Sequence, residues 1–323
     1  MRAILTRMER RQALLSLLAL GVGAVVGLAA PGITPEAELA ITPVLGLLLY
    51  ATFLGVPFAA IGRALGDWRF LGAVLAVNFL VVPVVVFALS RLVAHDRALL
   101  IGVLFVLLTP CVDYVIVFAG LAGGARDRLL AATPLLMLAQ MLLLPVYLGL
   151  FLGPGFVAAV DLGPFLEAFL LLIVLPLAAA GLTQLAARTR AGRILRDAAL
   201  GATVPLMMLT LAVVVASQIA GVGAQLGSLA LAIPVYLLFA AVMLPLGALT
   251  GRIAGLGVPS RRALAFSGAT RNSLVVLPLA LALPPAFALV PLAVLTQTLV
   301  ELVLMVVFVR LVPRLIPDRT GSK

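Results

Sequence analysis

The chain has little of what a soluble enzyme uses for chemistry. Charged residues make up 11% of its 323 positions, only 12 of them acidic, and there is one cysteine and one histidine. A soluble domain is usually about a quarter charged. One cysteine excludes an internal disulfide and any multi-cysteine metal centre. The single histidine, His95, stands beside Asp96 in a connecting segment, so no Ser/His/Asp set and no metal-ligand cluster can be assembled. No glycine-rich phosphate loop is present, which argues against an ATP-driven pump in this chain. The sequence reads as a non-enzyme that uses no cofactor and no bound metal.

What is abundant is apolar surface. Hydrophobic residues reach 64% and the mean hydropathy is +1.28, far above the half-apolar composition of soluble proteins. The 29 glycines and 21 prolines fit a membrane protein, because spanning helices tolerate both. Apolar runs of spanning length predict ten transmembrane helices, near 13–30, 40–62, 70–91, 98–121, 129–152, 164–186, 198–218, 229–250, 262–283 and 288–312. The leader MRAILTRMERR is basic like a secretory signal, but the run behind it is long for a signal core and is read as a helix.

A net charge of +10 resembles a nucleic-acid footprint until the cations are placed along the chain. All but Arg91, Arg97 and Arg271 fall on one side if the N-terminus is cytoplasmic, whereas Glu36, Glu38 and Asp161 fall on the other. This asymmetry predicts a multi-pass protein of a bacterial-type plasma (inner) membrane with both termini cytoplasmic, partnered by lipid and not by nucleic acid. The connections are short and leave no room for a soluble domain.

Five helices followed by five would invert the second half against the first, as in many secondary transporters. A displacement of 161 residues carries Thr109-Pro110-Cys111 onto Thr270-Arg271-Asn272 and Gln140 onto Glu301, and a displacement of 162 carries Pro83 onto Pro245. The expected division is therefore 1–160 and 161–323, two inverted five-helix repeats of one all-α transporter domain.

The superposed spots are also the most polar ones. Pro110 lacks an N–H and its ring clashes with the carbonyl four residues back, so the fourth helix should break there. Thr109 ahead of a first-turn proline predicts a new half-helix starting at 109, with Cys111 and Asp113 in its first turn at the positive dipole end. In the ninth helix Gly268, Thr270, Asn272 and Ser273 offer capping groups for a second break. Irregular backbone at that depth is permitted only where it lines a cavity or is buried in protein.

Three ionisable residues lie within the runs: Asp113, Arg271 and Glu301. Each costs about 2.5–3.5 kcal/mol near the bilayer centre on insertion scales, so such groups face the bundle interior. Asp113 and Arg271 read either as a structural ion pair or as substrate contacts. Glu301 then has no second cation, and a carboxyl withdrawn from water favours its neutral form. It is a candidate proton carrier, or a permanently neutral hydrogen-bond donor. Cys111 reads either as a small core residue or as a thiol activated at a helix N-terminus, a single contact from which a thiophilic solute can be released. Asn78, Gln140, Gln218, Asn272, Ser273, Thr296, Gln297 and Thr298 could each bond a neighbouring helix.

The segments PCVDYVIVFAGLAGGARD and TLVELVLMVVFVRL, with the ten-helix layout, resemble the arsenite efflux permeases of the bile acid:sodium symporter superfamily. The resemblance implies panel and core bundles, crossing broken fourth and ninth helices, and exchange of neutral arsenite or antimonite for protons. It implies roles in arsenite transport for Cys111 and Glu301; beside them Asn272, Ser273 and Gln297 are read as further solute contacts and Asp113 as a second proton-coupling acid. The chain departs from the family's usual pattern at Val112, Asp113 and Arg271, and carries Val275 where a glutamate is usual. The alternative is a sodium-coupled symporter of an organic anion, with Asn272, Gln297, Gln140 and Glu301 supplying oxygens to Na⁺.

Overall fold

The computed structural model describes residues 12–30, 32, 34–55, 66–112, 114–153, 167 and 170–318. Apart from a single backbone bridge, all regular structure among these is helical. The α-helices are α1 (Gln12–Ala29), α2 (Thr34–Gly55), α3 (Trp68–Ala76), α4 (Val82–Ser90), α5 (Arg97–Leu107), α6 (Tyr114–Leu121), α7 (Arg126–Leu152), α8 (Leu175–Ala186), α9 (Arg190–Ile253), α10 (Val258–Ala269), α11 (Ser273–Leu281) and α12 (Leu289–Leu315). Among the described residues six segments are long and apolar enough to cross a membrane: Pro35–Gly55, Trp68–Val93, Arg126–Leu152, Arg190–Ser217, Gln225–Ile253 and Leu289–Leu315. The fourth and ninth apolar runs are each divided into two short helices. The connection expected between the seventh and eighth runs is instead helical, part of α9. Residues 219–228 contain no proline and no charge, so nothing there interrupts the hydrogen-bond ladder.

The chain forms two compact units, each taken from both halves of the sequence. The first comprises Met1–Val56, Asp161–Leu226 and Leu281–Leu283. In it α2 packs on α8. The Tyr50 hydroxyl meets the Thr183 hydroxyl at 2.8 Å, and the Gln184 amide donates to the Leu54 carbonyl at 3.1 Å.

The second unit comprises Pro57–Val160, Gly227–Ala280 and Pro284–Lys323. Between α3 and α4 the helix widens into a π turn at Val77–Val81. Pro83 has no N–H to close onto the Phe79 carbonyl four residues earlier. The Tyr147 hydroxyl of α7 donates to that carbonyl instead, at 2.6 Å. α5 lies against α12, and the approach is close at Gly102. A Cβ placed there would stand 2.6 Å from the Ala293 Cβ and 3.2 Å from the Val290 carbonyl oxygen.

Arg262, which the charge pattern assigns to a loop, is buried. Its Nε and Nη2 donate to the Ile316 carbonyl at 3.0 and 2.9 Å, its Nη1 donates to the Ala122 carbonyl at 3.3 Å, and Asp318 lies 3.2 Å from Nη2. One guanidinium thus fastens the chain beyond α12 to the end of α6. The neighbouring Gly123 sits at φ +69, where a Cβ would come within 2.6 Å of Arg262 Nη1. Both the backbone conformation and the space require glycine there.

Gly102→Val is expected to destabilise the second unit by about 1–3 kcal/mol, the usual cost of forcing methyl groups into a filled contact. A lower melting temperature of the purified protein in detergent is the measurement; an unchanged one would show that α5 and α12 are not in close contact.

Candidate functional site

The site grows from two helix ends that have no helical continuation. α5 stops at Leu107 and α10 at Ala269. The Thr109 hydroxyl turns back to the end of its own helix, with the Phe105 and Val106 carbonyls at 3.2 and 3.0 Å. The Thr270 hydroxyl does the same to the Phe266 carbonyl at 2.9 Å. Beyond these ends the backbone is extended, and the two stretches pair antiparallel, with Pro110 opposite Arg271. The Cys111 N–H donates to the Thr270 carbonyl at 3.3 Å, and the Asn272 N–H to the Thr109 carbonyl at 2.8 Å.

This corrects the expectation of a half-helix starting at Thr109. The second half-helix, α6, starts at Tyr114, and Cys111 and Val112 are not helical. The reason lies in the ladder: Thr109 and Cys111 spend their backbone groups on the opposing segment, which is incompatible with a first helical turn. Asp113, and with it the expected charge pair to Arg271, lies outside the described residues.

On the other side α11 restarts with Asn272 as its cap, its Oδ1 accepting from the Val275 N–H at 3.3 Å. Ser273 is bonded to Thr298 of α12, hydroxyl to hydroxyl, at 2.7 Å. One turn further along α12, Glu301 reaches the crossing. Its Oε2 accepts from the Arg271 backbone N–H at 2.8 Å and from the Gln297 side-chain amide. Cys111, Asn272, Ser273, Gln297 and Glu301 are all buried.

The Arg271 side chain is fully buried, at 0% exposure. Its Nη2 donates to Asn78 Oδ1 at 2.9 Å and to the Ser267 and Gly268 carbonyls at 2.8 Å each, and its Nη1 to the Leu107 carbonyl at 3.3 Å. The Phe239 ring lies 5.2 Å from Cζ. Asn78 is oriented in turn by donating to the Val74 carbonyl at 3.0 Å and to the Ser267 hydroxyl at 2.9 Å.

Several buried polar atoms have no hydrogen-bond partner among the described residues: Asn272 Nδ2, Gln297 Oε1, and both amide atoms of Gln140. Glu301 holds the N–H of Arg271, whereas Pro110, opposite Arg271 in the bridge, has no N–H to give. Sequence reasoning counted Asn78 as an ordinary helix-bonding residue, gave Gln140 in addition a place among the Na⁺ oxygens of the alternative reading, and assigned no role to Ser267. The signal for Asn78 was Pro83 five residues on, which opens the π turn around it. Ser267 contributes chiefly its main-chain carbonyl, which leaves no signature in composition.

Together these observations describe a buried polar crossing inside a helical membrane protein, built from two broken helices and backed by α12. Comparison with known families matches residues 42–225, more than half of the chain, to the Sodium Bile acid symporter family. No curated protein matches the chain. The membrane-spanning helices and this match agree, and the chain belongs to the sodium bile acid symporter family, a family of transporters.

Proposed function

We propose that the chain is a secondary active transporter that exports arsenite or antimonite in exchange for protons. The observation that carries this reading is the linkage of Cys111 and Glu301 through one backbone ladder. Cys111 is bonded to Thr270, and the next residue, Arg271, has its N–H on Glu301. A thiol-bearing residue and a carboxylate are therefore attached to the same crossing.

Neutral arsenite, As(OH)₃, carries hydroxyl groups that both donate and accept. Asn272 Nδ2 and Gln297 Oε1, a buried donor and a buried acceptor without partners among the described residues, match a solute of that kind. The Cys111 thiol can exchange for one hydroxyl of arsenite with release of water, and the reverse reaction frees the solute. One sulfur holds it less firmly than three would. A proton placed on Glu301 Oε2 removes acceptor strength from the atom that holds the Arg271 N–H, so proton uptake and the geometry of the crossing are coupled. Asp113 is the second acid assigned to that coupling.

The architecture in this reading is ten helices in two inverted five-helix repeats, sorted into panel and core bundles, with both termini cytoplasmic in a bacterial-type inner membrane. Three features support it. The two breaks stand 161 residues apart, α7 and α12 have the same length of 27 residues, and each compact unit draws on both halves of the sequence. The alternative is a sodium-coupled symporter of an organic anion.

Expression in an arsenite-sensitive host is expected to restore growth on arsenite, and Cys111→Ser and Glu301→Gln at matched expression are expected to lose that protection. Each removes a contact to a charged or reactive group, worth about 1.5–3 kcal/mol, or roughly tenfold or more in transport. In inverted vesicles, arsenite accumulation should follow an imposed pH gradient without Na⁺. Uptake that strictly requires Na⁺ would establish the sodium-coupled reading instead, and protection by both variants equal to wild type would refute the roles given to the thiol and the acid.

A further inference from the structure

We infer that the Arg271 guanidinium is a resident cation: it fills an oxygen cage suited to a small monovalent metal ion at the helix crossing, so this transporter needs no sodium ion there. The inference rests on the reading of the chain as a transporter, and it concerns the cation and not the solute.

The shape of the cage is the first argument. Nη2 has two hydrogens, yet three oxygens lie within 2.9 Å of it: Asn78 Oδ1 and the Ser267 and Gly268 carbonyls. A guanidinium normally meets its acceptors through a planar fork with one hydrogen directed at each. Here acceptors outnumber hydrogens and converge on a point, which is the arrangement that surrounds a spherical ion.

The origin of the oxygens is the second. Leu107 is the last residue of α5, and Ser267 and Gly268 are in the last turn of α10. Carbonyls at a helix C-terminus lack intrahelical donors and carry the negative end of the macrodipole, about half an elementary charge. Two such ends meet the one guanidinium, α10 at Nη2 and α5 at the neighbouring Nη1. Discontinuous helices in secondary transporters bind their coupling cations with half-helix C-termini and unwound carbonyls, and hard oxygen donors of this type suit hard ions rather than soft ones.

The anchoring is the third. Arg271 lies between two paired backbone groups, and its own N–H is held by Glu301, so its main chain is fixed at the crossing and its head group is tethered to the cage. The guanidinium is permanently charged. The positive charge that a soluble ion would bring and carry away is here part of the chain.

Arg271→Ala removes the head group and leaves the oxygens, three of which are main-chain atoms that no side-chain change removes. The purified variant is expected to bind ²²Na⁺ saturably and to gain melting temperature with added NaCl but not with choline chloride, whereas wild type does neither. Adding Asn78→Ala to Arg271→Ala should abolish both effects. Sodium binding by wild type that depends on Asn78, or a folded Arg271→Ala that neither binds Na⁺ nor gains stability from it, would overturn the inference. Should Arg271→Ala not fold even in Na⁺, Arg271→Lys decides. An ammonium with three hydrogens fits a point-like cage and should keep the fold and its indifference to Na⁺, while collapse of the lysine variant would show a fork-shaped structural site. Because ion binding and melting need no transported solute, they stand or fall independently of arsenite export.

Discussion

A helix that breaks inside a membrane exposes backbone groups that no water can satisfy, and each one left unpaired costs several kcal/mol. The protein meets this constraint twice at one place. The broken ends of α5 and α10 satisfy each other through the Thr109–Asn272 and Cys111–Thr270 backbone bonds. Thr109 and Thr270 return their hydroxyls to the helices they terminate. Every other feature of the site follows from this short ladder. It fixes Cys111 and Asn272 on adjoining strands, directs the Arg271 side chain into the carbonyls behind it, and presents the Arg271 N–H to Glu301.

The crossing also explains how polar groups can collect in so apolar a chain. Burying an isolated guanidinium is prohibitive, but this one is surrounded by oxygens that the break itself supplies. Burying Asn78 is tolerable because all its polar atoms are engaged, with Val74, Ser267 and Arg271. Orphans among the described residues such as those on Asn272, Gln297 and Gln140 are then exceptions that call for a ligand or a reason.

Much of this was legible in the sequence because it depends on residues with strong local effects. Long apolar runs located the helices, Pro110 marked the first break, and the intramembrane Arg271 and Glu301 marked the polar centre. Other features left no such mark. A half-helix beginning at Thr109 is the better local solution, and only pairing with residues far along the chain overrides it. Arg262 reads as one more topogenic cation, since nothing nearby in sequence reveals that the Ile316 and Ala122 carbonyls await it. The division into two units that each draw on both halves is a property of packing, and the helical stretch 219–228, rich in glycine, looks like a turn by composition alone.

Pro110 leaves the two breaks with different fastenings. On the Arg271 side a backbone N–H is bolted to the Glu301 carboxylate of α12. On the Pro110 side there is no hasp for such a bolt, whatever residue stands opposite. The two broken segments therefore differ in how each can be tied to a neighbouring helix, one through its main-chain N–H and the other not.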